Sequence, residues 1–292
     1  MESSDDGDSS TAAIVTKATI IFLFVLPLAC YKSPFTEKLQ THLPTETAKT
    51  KTVSTPVKKK SKKKKLYLTF DDGPNRGTKN VLTIVKDEQV PVSFFIVGEH
   101  VFASLTQEKL WDSLKMAQNI ELCNHSFCHA GNKYQKYYQC PDSVVRDFIQ
   151  TQDSLQFDNA IARTPGRNIW RIDTLHFTDL KKSAAAADSL EKAGFVLMGW
   201  DLEWQFDHKT MSVTTSAEKM IAQIDSAFKK NRTKCPDNLV MLAHDQAYVK
   251  SVDSMELRVF LQMLKQKDEY DLSLVSDYPG ADKKSPDSIK LK

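Results

Sequence analysis

From residue 66 onward, short continuous apolar runs alternate with stretches of helical periodicity, and this pattern constrains the fold more than any other feature. Leu66 to Phe70, Val92 to Val97, Ile120 to Cys123, Ile161 to Arg163, Phe195 to Trp200, Leu239 to Ala243 and Leu272 to Val275 read as strands. Between them, Asn80 to Glu88, Leu105 to Gln118, Pro141 to Phe157, Leu180 to Ala193, Thr215 to Phe228 and Ser254 to Lys265 repeat apolar residues at helical intervals. Strands without polar alternation are covered on both faces, so the pattern implies a parallel sheet wrapped by helices. Seven such strands suit an α/β fold closed as a distorted (β/α) barrel with about seven parallel strands. In barrels of this kind chemistry gathers at the C-terminal ends of the strands.

Composition excludes several classes. The chain has 292 residues, 41% hydrophobic, with only 5 cysteines, which rules out a disulfide scaffold and a wholly disordered chain. Only one apolar run approaches spanning length, so a polytopic membrane protein is excluded. The formal net charge of +3 is misleading, because taking away the seven lysines Lys58, Lys59, Lys60, Lys62, Lys63, Lys64 and Lys65 leaves −4. The body of the chain is mildly acidic, and no nucleic-acid partner is expected.

The first 65 residues read as address and tether. An apolar run from Ala18 to Ala29 follows Lys17 and ends before Cys30. Its length is that of a signal-peptide core, and Leu28-Ala29-Cys30 is similar to a lipoprotein cleavage site apart from Pro27. Residues 1–30 are therefore expected to be a signal peptide or a membrane or lipoprotein anchor. Residues 31–65 are expected to form a disordered Lys/Thr/Pro-rich linker, 66–278 the folded domain and 279–292 a C-terminal tail. The expectation is a domain held outside the cytoplasm by a membrane tether, or secreted after cleavage. The lysines could hold it against anionic headgroups or envelope polymers.

Unusual polar residues stand at the predicted strand ends. Asp71 and Asp72 close the first strand before a Gly73-Pro74 turn, and adjacent carboxylates are costly unless a cation or metal offsets them. His125 and His129 follow the third strand at a spacing of four, which in a helical turn puts both imidazoles on one side, as a metal such as zinc requires. Cys123 and Cys128 leave a structural Cys/His zinc site open as an alternative. His244 ends a later strand and could act as a general acid near neutral pH. Arg163 also ends a strand, and Asp201 and Glu203 sit between Trp200 and Trp204.

In order, Thr69-Phe70-Asp71-Asp72-Gly73-Pro74, His125-Ser126-x-x-His129, Arg163-x-Pro165, Asp201-x-x-Trp204 and Leu242-x-His244 resemble the motifs of the polysaccharide deacetylase family (carbohydrate esterase family four, the NodB homology domain). The resemblance runs through residues 66–278. It implies that Asp72, His125 and His129 hold a divalent metal, zinc above all, with cobalt, manganese or nickel as alternatives. It implies that Asp71 is the general base, that His244 protonates the departing amine, and that Arg163, oriented by Asp201, tunes Asp71. By the same resemblance Trp204 and Leu242 line the acetyl pocket, Pro165 and Gly166 border the substrate with a Gly166 N–H toward the oxyanion, and Ser126 fixes the histidine loop.

One motif departs from the family pattern. An aromatic residue usually follows the proline, but here Gly166 and Arg167 do, and Trp170 could replace the missing wall. The expected activity is removal of N-acetyl groups from a peptidoglycan-like or chitin-like glycan. The alternatives are an esterase acting on O-acetylated xylan-type polysaccharide, and a catalytically silent carbohydrate-binding barrel.

Overall fold

The computed structural model describes residues 63–290. The expected anchor, Cys30 and the linker up to residue 62 lie outside the described residues. Among the described residues, no helix is long and apolar enough to cross a membrane.

The strands are β1 (Lys64–Gly73), β2 (Val92–Ile96), β3 (Ile120–Asn124), β4 (Ile161–Ala162), β5 (Ile169–Ile172), β6 (Leu175–Thr178), β7 (Val196–Leu197), β8 (Leu202–Trp204), β9 (Phe206–Asp207), β10 (Ser212–Val213), β11 (Asn238–His244) and β12 (Tyr270–Leu272). The helices are α1 (Arg76–Asp87), α2 (Gly98–Val101), α3 (Leu105–Lys115), α4 (Tyr134–Tyr137), α5 (Pro141–Leu155), α6 (Ala184–Ala193), α7 (Ala217–Lys229) and α8 (Ser251–Lys267). The main sheet runs β6-β5-β7-β4-β3-β2-β1-β11-β8, and β12 pairs with the start of β1.

Two expectations change here. The sheet ends at β6 and β8 and does not close, so the architecture is an open, curled, mostly parallel sheet rather than a complete barrel. It also carries an antiparallel hairpin, β5 to β6, which pairs through Arg171 with Leu197 of β7. That hairpin alternates polar and apolar residues over too few positions to stand out from a loop in sequence. The linker boundary moves as well, since Lys64 and Lys65 are already paired in β1 with Tyr270 and Asp271. At the other end, Lys290 N–H donates to the Ala193 carbonyl at 3.0 Å, so residues 279–290 fold back on α6 instead of trailing as a tail.

The core shows why β1 and β11 read as continuous apolar runs. Leu66, Leu68 and Phe70 of β1 pack with Leu239, Met241 and Ala243 of β11 in the cluster that α1, α3, α7 and α8 cover. Tyr67 and Val240 belong to a second cluster with Phe95, Cys123 and Ile161 on the opposite, concave face. Side chains two apart share a face. The concave series Tyr67-Thr69-Asp71, Val240-Leu242-His244, Cys123-His125 and Ile161-Arg163 therefore runs from an apolar floor to polar strand ends. This alternation places the chemistry.

The start of α1 lies four residues earlier than its apolar spacing predicts, and capping explains the difference. Asn75 Oδ1 accepts from the Gly77 N–H at 2.8 Å, while Thr78 Oγ1 accepts from the Asn75 N–H at 2.7 Å. That reciprocal box satisfies two of the helix's orphan donors. Gly77 is required by a close approach, because a Cβ there would sit 1.9 Å from the Asp245 carbonyl oxygen.

Candidate active site

Asp71 reaches the cleft by the alternation of β1, but Asp72 would by the same rule point away. The register shifts between Asp71 and Gly73, so two residues of β1 oppose one step of β2, and Asp72 adopts φ +77°. This bulge turns both carboxylates toward the cleft. The left-handed backbone is held from two sides. His100 Nδ1–H donates to the Asp72 carbonyl at 2.9 Å, and Gln246 Nε2–H donates to Asp72 Oδ2 at 3.2 Å.

His125 follows β3. Its Nδ1 lies 2.8 Å from the Arg163 carbonyl, which can only accept, so Nδ1 carries the proton and Nε2 faces the carboxylates. His129 Nε2 stands 3.1 Å from Asp72 Oδ1, and His125 Nε2 stands 3.5 Å from the same oxygen. The helical turn expected for this pair is not what joins them. The loop bends at Ser126, φ +69°, and His129 itself has φ +47°. Asn124 Oδ1 accepts from the Ser126 N–H, Ser126 Oγ from the His129 N–H, and the Asp147 carboxylate from the Phe127 and Cys128 N–H groups. Ser126 thus ties the two ends of the loop together through its N–H and its hydroxyl.

Arg163 is fully buried at the end of β4. It donates to Asp71 Oδ1 at 2.7 Å, to Thr69 Oγ1 at 2.8 Å, and to the Met198 and Gly199 carbonyls at 3.0 and 2.9 Å. Its guanidinium lies over the Phe95 ring at 3.9 Å. Asp201 does not orient it. The Asp201 carboxylate instead accepts from the backbone N–H groups of Lys234 and Val240, and backbone carbonyls fill the place expected for it on Arg163. Burial pushes the Asp201 carboxyl up to about 6.

His244 is the register partner of Asp71 across β1 and β11, so both reach the same cleft. Its Nδ1 lies 4.0 Å from Glu203 Oε1, beyond hydrogen-bond reach, and its ring lies 5.2 Å from that of Phe206. The cleft measures about 560 Å³, and its walls include Trp200, Glu203, Gly166 and Leu242.

Trp204 is not among the lining residues. On β8, Glu203 pairs with Leu242 and faces the cleft, so Trp204 turns to the opposite side, where it packs on Phe260 and donates to the Thr215 carbonyl. Trp200 takes the aromatic place expected of it. Pro165 is buried behind the wall, its carbonyl accepting from Tyr138 Oη–H at 2.7 Å. Trp170, offered as a replacement wall, is fully buried and bonded to Asn168. The side chain actually set against Gly166 is Tyr134: its ring lies 3.0 Å from where a Gly166 Cβ would be and edge-on to His129. Sequence reading missed Tyr134, His100, Gln246, Asn124 and Asp147. His100, Gln246 and Asn124 carry a signal, since each stands at or just after the end of a central strand.

The electrostatics follow from this packing. Burial raises the Asp72 carboxyl, but the imidazoles of His125 and His129 set beside it outweigh that and hold the group well below the usual carboxylate range. Burial lowers His125, yet the facing charges of Asp71 and Asp72 raise it overall. Burial drives the Cys123 and Cys128 thiols up, Cys128 to about 11. All four described cysteines are free.

One oxygen or nitrogen of each of Asp72, His125 and His129 lies within 4.8 Å of the others, and Asp72 Oδ1 is buried with no hydrogen-bond donor. One carboxylate and two imidazoles are a donor set that suits a divalent ion, and the cysteines take no part. The sequence profile of the polysaccharide deacetylase family matches residues 58–171. Over those residues the chain is similar to that family. They contain Asp71, Asp72, His125, His129 and Arg163; His244 lies beyond them.

A chitooligosaccharide deacetylase of Rhizobium leguminosarum bv. phaseoli is 37% identical over 93 residues, which are 31% of this chain and 37% of the relative. A chitin disaccharide deacetylase of Vibrio alginolyticus is 23% identical over 227 residues, covering 56% and 53%. The chain spans about half the length of the curated relatives it matches, or less. Among solved structures, a family 4 carbohydrate esterase of Streptococcus mutans superposes with a TM-score of 0.55 at 22% identity, covering 73% of this chain and 86% of its own. The polysaccharide deacetylase fold is shared at that level. Activity has to be argued from the site itself.

Proposed function

We propose that this chain is a metal-dependent hydrolase that removes N-acetyl groups from a peptidoglycan-like or chitin-like polysaccharide outside the cytoplasm. The observation that carries this reading is convergence. Asp72, His125 and His129 offer one ligand atom each within 4.8 Å, and Asp71 and His244, which share a register position, enter the same cleft.

A bound divalent ion, zinc in the first instance, supplies Lewis acidity to an acetamide carbonyl and lowers the pKa of a water. The chain's own residues do the rest. Asp71, fixed on one oxygen by Arg163, keeps the other free to take a proton from the attacking water. His244 stands across the cleft to deliver a proton to the departing amine nitrogen. Gly166, at φ +61°, borders the cleft where its N–H would meet the carbonyl oxygen, and Leu242 and Trp200 give the acetyl methyl an apolar wall.

Acetate release from chitin oligomers, peptidoglycan and acetylated xylan by the zinc-supplemented chain tests the proposal. Release that is lost on chelation and in Asp71→Asn is expected from one of the first two. Release from xylan alone favours the O-acetyl esterase. Full activity after both His125→Ala and His129→Ala rules the mechanism out.

A further inference from the structure

We propose that the groove between α1 and α3 binds a carboxylate-bearing stretch of glycan chain. It is a second concavity, about 920 Å³, larger than the catalytic cleft. It starts at Asn75, in the turn that follows Asp72, and Gln107 of α3 closes its upper end by donating to the Pro74 carbonyl at 2.9 Å. The inference rests on reading the neighbouring cleft as a glycan site, and it names the charge of the glycan.

Four exposed cations line the groove: Arg76, Lys79 and Lys86 from α1, and Lys109 from α3. The three on α1 fall on one side of the helix and cover about 15 Å along its axis. Among the described residues none of the four is in an ion pair with a carboxylate, a state they share with other exposed lysines such as Lys133 and Lys181; what sets them apart is that they line one groove. The only acid in the lining, Asp87, is taken by Arg258 at 2.8 Å.

The arrangement works against the helix that carries it. The first residue of α1 is Arg76, and no acid stands in its first turn, so a cation sits where the helix dipole favours an anion. Arg76 and Lys79, three apart, also repel each other. An anionic ligand removes both costs. Leu82 and Leu110 form an apolar floor suited to a sugar ring, and the Thr83 and Ser113 hydroxyls, which donate to the Lys79 and Lys109 carbonyls, keep lone pairs to accept from sugar hydroxyls. Apolar floor, hydroxyls and unpaired cations together match an acidic glycan better than a bare lipid headgroup.

The carboxylates could belong to uronic acid rings or to peptide stems on the sugar, and the test separates the two. Calorimetric titrations of the full chain and of Lys79→Gln/Lys109→Gln would use a hyaluronan octasaccharide, a soluble peptidoglycan fragment and a neutral chitin oligomer. Both proteins keep the lysines of residues 58–65, so any difference belongs to the groove. The expected result is affinity for one of the acidic oligomers about tenfold weaker in the variant and falling with salt, with chitin binding unchanged. Equal binding of both acidic oligomers by the two proteins overturns the proposal, and so does no binding of either. A loss confined to phosphatidylglycerol vesicles overturns it in favour of a membrane surface. Acetate release from chitin on the same samples is read separately, so failure of the deacetylase reading is distinguishable from failure of the groove.

Discussion

Arg163 Nη1 donates to Asp71 Oδ1 at 2.7 Å with both side chains buried, and every other acceptor on that guanidinium is a backbone carbonyl or a threonine hydroxyl. The pair is one charge matched to one charge at the floor of the cleft. Removing the cation leaves an uncompensated buried carboxylate, which costs about 3–5 kcal/mol. Arg163→Ala is expected to unfold at much lower denaturant concentration than the parent. Arg163→Lys, which keeps the charge but loses the planar fork, is expected to recover part of the stability and little of the acetate release. Urea midpoints and turnover measured together check both statements.

Asp201 separates the structural account from the one its motif suggests. Its carboxylate fixes the backbone N–H groups of Lys234 and Val240 and has no bond to Arg163. Asp201→Asn is therefore expected to leave the pH profile of kcat/KM where it was, with any loss confined to stability. A displaced acid limb in that profile would show that Asp201 acts on Asp71 after all.

Much of the site is legible in the sequence because it depends on period two. Asp71, His125, Arg163 and His244 each stand two positions after a buried residue of the concave face, Thr69, Cys123, Ile161 and Leu242. Asp72 is legible as the neighbour of another strand-end carboxylate but not by period two, since alternation sends it the wrong way and a bulge brings it back. Trp204 was misplaced for a related reason: its three-residue strand is too short to show which face it belongs to until pairing with β11 sets the register. Tyr134 sits in a four-residue helix with no buried residue, reached through a loop with positive φ at Ser126, His129, Ala130, Gly131 and Asn132, and nothing local announces that it meets Gly166.

That contact has a consequence for substrate binding. Tyr134→Ala removes the ring beside Gly166 and His129, a half-exposed side chain outside the main core. The expected outcome is a several-fold rise in KM for oligomeric substrate with little change in thermal midpoint. Gly166→Ala meets both the tyrosine ring and a backbone at φ +61°, so it is expected to lower kcat as well. A Tyr134→Ala protein with unchanged KM on long and short chitin oligomers would exclude the ring from the substrate path.

Ser126 gives a test of the loop that needs no turnover. Its Oγ accepts from the His129 N–H at 3.1 Å and is the only side chain shown holding that peptide in its left-handed turn. Ser126→Ala is expected to weaken zinc binding by about 10–100-fold, the usual effect of losing a group that orients a ligand. Competition against a chromophoric chelator measures this directly. Unchanged zinc affinity would mean that Asn124 and Asp147 hold the loop without it.

Asp245 adds a pH dependence of stability that is independent of catalysis. It is fully buried beneath the Asp72 turn, where its carboxyl accepts from Thr78 Oγ1–H and Asn75 Nδ2–H. Burial raises it to about 8, against the relief those two hydrogen bonds give. A carboxyl whose folded pKa is raised keeps its proton in the native state after the unfolded chain has lost it. The fold is thus unpenalised below about pH 4 and loses stability as pH climbs toward 8, where the loss levels off. Asp245→Asn preserves the shape and an acceptor while abolishing the titration. Relative to the parent, the variant is expected to gain stability from pH 4 to pH 8, by on the order of a few kcal/mol at the upper end. Denaturation midpoints across that range, taken on parent and variant side by side, would refute the assignment if the two curves ran parallel.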